Sequence, residues 1–260
     1  MEAIYSAGFR LDLAITIPDE LGRSKSGRVY LDDFCRRQGI PLLKVRHINN
    51  VDAVAAIRAH ELDWLFIIGW SQIAGAQVLA APKSGVLGIH PTLLPVGRGR
   101  AAIPWAILKR LPETGVTLFQ LSEGVDSGPI VAQLRIPLGL GADATWLYDR
   151  VNAAHVELIR AALPQLANGT LQLRLQEESR ATTWPGRHPE DGRIDLYGSV
   201  QDAECLVRAV TKPYPGAFVE LSGARLLIWR ARVVLEPHSG LCLHFRDGIL
   251  ECLEYETRPL

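Results

Sequence analysis

The chain has 260 residues, 48% of them hydrophobic and 22% charged, with 28 Lys plus Arg against 28 Asp plus Glu. That length carries one large domain or a medium domain with a small one, and it is long enough to bury a sizeable core. The charge balance argues against a bulk electrostatic partner such as duplex DNA and leaves room only for a local patch.

No apolar run approaches the ~18 residues that span a bilayer, and Met1-Glu2-Ala3-Ile4-Tyr5 does not read as a signal peptide. The cysteines Cys35, Cys205, Cys242 and Cys252 show neither a C-x-x-C nor a zinc spacing. They read as reduced, mostly structural thiols of a cytoplasmic protein, with no metal expected.

Residues 2–7 look like the end of a helix closed by Gly8. Residues 11–17 alternate and are β-branched, which predicts a strand; residues 18–28 predict a loop. A helix is predicted from Val29 to Gln38 with a Gly39 stop, then a strand over 42–45 and a helix over 52–60. Trp64 to Ile68 is a continuous apolar run, as expected of a strand buried on both faces. A short helix near 74–80 leads to a strand at 85–90. This alternation argues for a parallel sheet covered by helices.

Next come a helix from Ala101 to Lys109, strands at 115–121 and 130–136, and a long amphipathic helix from Ala144 to Ala167 stopped by Asn168-Gly169. Residues 170–195 are polar and irregular. From about 196 a helix (199–210) precedes β-rich segments near 217–221, 224–235, 240–246 and 249–255. Ser222-Gly223, His238-Ser239-Gly240 and Asp247-Gly248 are hairpin signals. The expected layout is a catalytic domain over 1–170, a linker over 171–195 and a small β domain over 196–260.

The chemistry concentrates around His90. A proline follows it at once, so the ring stands at a strand C-terminus, where open α/β sheets bind ligands. An imidazole there can move a proton or stabilise an oxyanion, although a histidine after an apolar strand is commonly structural. Asp126, between Gly124 and Gly128, is either a turn residue capping its own backbone or a carboxylate that orients His90 and takes an amine proton. Arg98 and Arg100 flank Gly99. They form a solvated loop or a clamp for phosphate or carboxylate. No G-K-[ST] follows, so this is not a Walker loop. Trp70, Ser71 and Gln72 end the apolar strand and either pack or line a pocket for a flat heterocycle.

Several ordered blocks then carry a resemblance over most of the chain from about residue 11. They are Gly88-Ile89-His90-Pro91-Thr92-Leu93-Leu94-Pro95, Arg98-Gly99, Ile103-Pro104-Trp105-Ala106-Ile107, Thr114-Gly115-Val116-Thr117-Leu118, Val125-Asp126-Ser127-Gly128-Pro129-Ile130 and Gln133. Pro189 to Asp195, Val207 to Val210 and Pro213 to Phe218 continue it. Together they resemble the 10-formyltetrahydrofolate-dependent formyltransferases, and most closely the amino-sugar N-formyltransferases and methionyl-tRNA formyltransferase.

The resemblance implies an α/β, Rossmann-like catalytic domain with a mostly parallel sheet and a small OB-like, β-rich C-terminal domain. It implies formyl transfer from 10-formyltetrahydrofolate to a primary amine, without a metal. The catalytic pair falls on His90 and Asp126. The folate falls among Trp70, Ser71, Gln72, Leu121, Val125 and Asp126, and the acceptor by Thr92, Arg98 and Arg100.

Two departures stand out. The family has an asparagine two residues before the histidine, where this chain has Gly88. Losing one oxyanion donor typically costs ~10²–10³ in rate. The family also opens with a central strand ahead of the first helix, whereas this sequence starts inside that helix, as from a mis-assigned or truncated start. The missing strand would leave a gap in the middle of the sheet.

The leading expectation is an amine N-formyltransferase acting on a small molecule, with a nucleotide-linked amino sugar as acceptor. Methionyl-tRNA formyltransferase is the runner-up, disfavoured by the neutral charge balance and the absence of a basic insertion. A folate-binding pseudoenzyme and a formyl-folate hydrolase are the readings from other classes. The sequence leaves the oligomeric state open, a homodimer included.

Overall fold

The computed structural model describes residues 1–22, 27–221, 223–237 and 240–259. Residues 23–26 of the expected loop, and Ser222, His238 and Ser239 of the expected hairpin turns, lie outside the described residues. In chain order the elements are α1 (Glu2–Ser6), β1 (Ala14–Thr16), α2 (Asp19–Gly22), α3 (Asp32–Gln38), β2 (Leu42–Lys44), α4 (Val51–Ala59), β3 (Trp64–Ile67), α5 (Ala76–Leu79), β4 (Gly85–His90), β5 (Arg98–Gly99) and α6 (Ala102–Leu108). They continue with β6 (Glu113–Gln120), β7 (Ile130–Pro137), α7 (Ala144–Ala167), β8 (Thr183–Trp184), α8 (Val200–Val210), β9 (Ala217–Leu221), β10 (Ala224–Val234), β11 (Cys242–Phe245) and β12 (Gly248–Pro259).

Compactness divides the chain discontinuously. One unit takes Met1–Gly99, Gly115–Arg135 and Val151–Thr183; the other takes Arg100–Thr114, Ile136–Arg150 and Trp184–Leu260.

The first unit is the Rossmann-like α/β part. β1 pairs with β2 in parallel, and β3 pairs with β4 in parallel with Ile67 opposite Gly88. β6 runs antiparallel to β4, placing Thr117 opposite His90 and Phe119 opposite Gly88. Val86, Leu87, Val116 and Leu118 are fully buried there, which accounts for the continuous apolar reading of these strands.

The sheet comes in two pieces, β1-β2 and β3-β4-β6-β7, with no ladder joining them among the described residues. Ile15 and Leu43 of the first piece and Leu65 and Ile67 of the second nonetheless pack on one cluster that includes Val45, Ile48, Val54, Ile57 and Val78. β3 was expected to be buried on both faces. It is half-buried along its whole length, because only one of its edges has a strand neighbour.

Local signals act as their chemistry predicts. Gly39 caps α3 in the left-handed conformation at φ 67°. α3 itself starts at Asp32 rather than Val29, with Asp32 and Asp33 in its first turn, where the helix dipole favours acids.

α7 carries His155, whose Nε2 is buried without a partner. Burial lowers its pKa from 6.5 to about 4. Between those values the unfolded chain binds the proton and the folded one does not. Stability should therefore fall by up to about 3 kcal/mol as the pH drops from ~6.5 to ~4. Urea melts of His155→Leu should lose that slope.

The second unit holds an antiparallel sheet in the order β11-β12-β10-β9, with a β-bulge near Arg230. This is the β-rich, OB-like part. α8 packs on β10 and on α6. β11 and β12 form a hairpin closed by the Phe245–Gly248 pair, one residue earlier than the Asp247-Gly248 signal suggested. The Asp247 carboxylate accepts the Val200 N–H (3.0 Å) at the start of α8.

Candidate active site

The first unit assembles the predicted acid–base pair. β4 delivers His90 to its C-terminal end, and the loop between β6 and β7 returns Asp126 to it: Nδ1 of His90 lies 3.5 Å from Oδ2 of Asp126. Asp126 sits at φ 49°, a left-handed conformation that Asp and Asn tolerate better than most residues. Its Oδ2 also accepts the Gly99 N–H at 2.8 Å.

On the other edge of the ring, Nε2 donates to the Gly97 carbonyl at 2.7 Å. A carbonyl only accepts, so Nε2 carries hydrogen and Nδ1 is the edge turned to the carboxylate. The side chains are 9% and 20% exposed, so the carboxylate end is the more open.

The loop 91–99 is held from beneath. Thr117 Oγ donates to the Thr92 carbonyl (2.7 Å) and accepts the Leu94 N–H (3.1 Å), and Gln133 Nε2 donates to the Leu94 carbonyl (2.9 Å). Thr92 is buried by this arrangement, and its hydroxyl turns toward the Gly97 carbonyl.

Arg98 is engaged rather than open. Its guanidinium, with a side chain 10% exposed, bonds Glu178 (2.5 and 2.9 Å) and Gln176 Oε1 (2.8 and 3.1 Å). Glu178 raises the pKa of Arg98, and Arg98 lowers that of Glu178. Four of its five N–H donors are thus taken by Gln176 and Glu178, so a bidentate grip on a substrate anion would require one of these partners to be released. Arg100 falls in the second unit.

The residue that ties the loops together was not legible in the sequence. Gln176 Nε2 donates to the carbonyls of Asp126 and Gly128 (both 2.7 Å), while its Oε1 accepts from Arg98. Thr182 completes the lacing: its Oγ accepts the Gly97 N–H (2.9 Å) and its carbonyl accepts the Arg98 N–H (2.9 Å). Residues 173–176 do alternate, Leu-Arg-Leu-Gln, which is a strand signal. The faces are inverted, however, with Leu175 83% exposed and Gln176 turned inward.

Gln176→Ala removes one acceptor and two donated bonds at once. It should lower stability by about 2–4 kcal/mol, read from urea midpoints. An unchanged midpoint would show the lacing to be dispensable.

Trp70, Ser71 and Gln72 follow β3. Gln72 accepts from Trp70 Nε1 (3.0 Å) and the Ile48 N–H (2.9 Å) and donates to the Arg46 carbonyl (2.7 Å), so its amide is committed within the protein. Trp70 packs on the α4/α5 cluster. Ser71 is exposed, and Val125, beside Asp126, is 51% exposed. Leu121 is half-buried.

Leu121 also explains Gly88. A Cβ on Gly88 would lie 2.4 Å from Leu121 Cδ1 and 3.3 Å from Phe119 Cε1. Gly88 and His90 share one face of β4, so the leucine fills the place where a side chain beside the histidine would stand. Gly88→Asn alone should cost about 1–3 kcal/mol by overpacking, and Leu121→Ala should relieve it in the double variant. Equal thermal midpoints for Gly88→Asn with and without Leu121→Ala would contradict this.

Comparison with known proteins agrees with the fold. A family model described as formyl transferase matches residues 12–163, and one described as formyl transferase, C-terminal domain, matches residues 187–252. A structure of HypX from Aquifex aeolicus in complex with tetrahydrofolic acid is similar at TM-score 0.70 and 21% identity, over 95% of this chain and 46% of that one. The chain thus spans about half the length of that protein. Methionyl-tRNA formyltransferase from Clostridium thermocellum is similar at TM-score 0.65 and 17% identity, over 96% of this chain and 100% of that one. An N-formyltransferase from Helicobacter canadensis is similar at TM-score 0.66 and 16% identity, over 96% and 93% of the two chains. With both of its parts matched in order, the chain belongs to the formyl transferase family.

Proposed function

We propose that this protein transfers the formyl group of 10-formyltetrahydrofolate to a primary amine of a small molecule, with a nucleotide-linked amino sugar as acceptor. The observation that carries the chemistry is the His90–Asp126 pair, 3.5 Å apart at a strand end and fixed on both sides by backbone groups of the 97–99 loop. Fixed dipoles and a poised proton are what acyl transfer to an amine requires.

In this reading the amine nitrogen attacks the formyl carbon and the bond from that carbon to the folate nitrogen breaks. Tetrahydrofolate leaves with a proton, and the amine keeps the formyl group. Asp126, the more open of the pair, takes the ammonium proton. With both ring nitrogens carrying hydrogen, His90 donates from Nδ1 to the oxyanion and then gives that proton to the leaving folate nitrogen, while the proton from the ammonium stays on Asp126 and returns to Nδ1 after product release. The exposed Val125, with Leu121 and Trp70, offers apolar surface to the folate ring, and the Ser71 hydroxyl offers a polar contact.

The acceptor assignment draws support from the balanced charge of 28 against 28, which suits a small substrate better than a nucleic acid. The Helicobacter canadensis neighbour was solved with folinic acid and dTDP-3-aminofucose. No described helix is long and apolar enough to cross a membrane. A second reading, a folate-binding protein without turnover, takes its support from Gly88 and the Leu121 side chain packed over it.

The test follows tetrahydrofolate release spectroscopically with 10-formyltetrahydrofolate and a panel of nucleotide-linked amino sugars. A blank without acceptor runs beside it. Acceptor-dependent release supports the transferase. Release without acceptor makes the protein a hydrolase. Folate binding with no release supports the second reading.

A further inference from the structure

Asp126 is gripped at both ends. Its carboxylate accepts the Gly99 N–H (2.8 Å), and its main-chain carbonyl accepts from Gln176 Nε2 (2.7 Å). The same nitrogen donates to the Gly128 carbonyl (2.7 Å), so one amide group spans the turn. The two grips meet in adjacent residues. Gly99 follows Arg98, whose guanidinium reaches Gln176 Oε1 (2.8 and 3.1 Å). A closed ring thus runs from the Asp126 carboxylate through Gly99, Arg98 and Gln176 back to the Asp126 main chain, entirely within the first unit.

Chemistry fixes the polarity of this ring. A guanidinium only donates, so the glutamine edge turned to it is the oxygen. That leaves Nε2 for the two carbonyls, which only accept. Glu178 holds the guanidinium through both of its carboxylate oxygens (2.5 and 2.9 Å). Paired backbone bonds between Arg174 and Ile130 (2.7 and 2.9 Å) pin the segment that carries Gln176.

The ring opposes a strained backbone. Asp126 sits at φ 49°, which costs energy for a residue with a Cβ and persists only where the surroundings hold it. Relaxation of that φ would swing the Cβ and carry the carboxylate away from His90 Nδ1, now 3.5 Å from it. Proton transfer tolerates little such displacement.

We propose that Gln176, oriented by Arg98 and braced by Glu178, is a positioning residue that holds the Asp126 carboxylate in register with His90. Arg98 and Glu178 then serve the acid–base pair rather than a substrate anion. The effect on turnover rests on the function proposed above; the effect on the position of Asp126 does not.

The experiment compares Gln176→Glu, Glu178→Gln, Asp126→Asn and the double variant of Gln176→Glu with Asp126→Asn. Gln176→Glu keeps an acceptor for Arg98 and removes both donors to the turn. It should lower the kcat of acceptor-dependent tetrahydrofolate release by about 10- to 100-fold, with KM for 10-formyltetrahydrofolate changed by less than about threefold. Added to Asp126→Asn it should cost less than about threefold, because a positioning residue acts through the group it positions.

The substrate-free readout is the NMR signal of the Gly99 amide proton, which the Asp126 carboxylate accepts. In Gln176→Glu it should make most of the upfield move seen in Asp126→Ala, while the amides of β1 and β2 stay in place. A loss of stability alone leaves the folded-state signal where it is. Glu178→Gln, at a side chain 68% exposed, should move the signal the same way and lower kcat several-fold. It keeps the test valid if Gln176→Glu fails to fold.

A Gly99 signal unmoved in both variants overturns the proposal. So does a wild-type kcat in Gln176→Glu, or a loss that adds in full to that of Asp126→Asn. If the wild-type protein transfers no formyl group, the proposed reaction falls, and the Gly99 signal alone decides whether Gln176 positions Asp126.

Discussion

His90→Ala should reduce acceptor-dependent tetrahydrofolate release by about 10³ or more, some 4 kcal/mol of transition-state stabilisation. The ring does two things that no neighbour can take over. It presents Nδ1 to Asp126 at 3.5 Å, and it anchors the 97–99 loop by donating from Nε2 to the Gly97 carbonyl at 2.7 Å. His90→Gln separates the two roles. A glutamine amide can still donate to Gly97, but it cannot carry a proton between substrate and carboxylate. Both variants should lose turnover, while the glutamine variant keeps a thermal midpoint closer to wild type. Turnover retained in either variant would remove His90 from the chemistry.

Asp126→Asn should lower kcat by about 10²–10⁴, the usual worth of a positioned general base. The fold should survive, since the new carbonyl can still accept the Gly99 N–H now held at 2.8 Å. Asparagine also tolerates the φ of 49° that the loop imposes. Asp126→Ala would lose the Gly99 bond and the left-handed preference together, so its defect would mix structure with chemistry. The asparagine variant is therefore the informative one. Its signature is a fall in kcat with little change in urea midpoint, measured across the pH range in which wild type is active. Normal turnover by Asp126→Asn would refute the proton-transfer role.

The sequence was most legible where local chemistry dominates. Gly39 stops α3, the Gly169 signal stops α7, and the apolar run before Pro91 delivers His90 to a strand end. Each depends on neighbours within a few residues, so order along the chain is enough. The pairing of His90 with Asp126 was also legible, though only because many ordered blocks resembled one family.

Side-chain roles were much less so. Arg98 and Thr92 look available for substrate in sequence. The fold brings Glu178 and Gln176, about eighty positions on, to the guanidinium, and it buries Thr92 over Thr117. Gln176 escaped notice because its alternating segment points its polar side inward, which hydropathy reads in reverse. Gly88 stood out by its identity alone, whereas its reason, the Leu121 methyl 2.4 Å from an added Cβ, comes from another strand.

By itself, then, the sequence determined the order and type of the elements, the strand-end histidine and the loop aspartate, because backbone propensity and apolar period are local. Only the tertiary structure decided which polar side chains are already spoken for, and that β1 and β3 share a helical layer with no ladder joining them among the described residues. Those depend on residues far apart in the chain meeting in space, where hydrogen-bond geometry and desolvation set the energies.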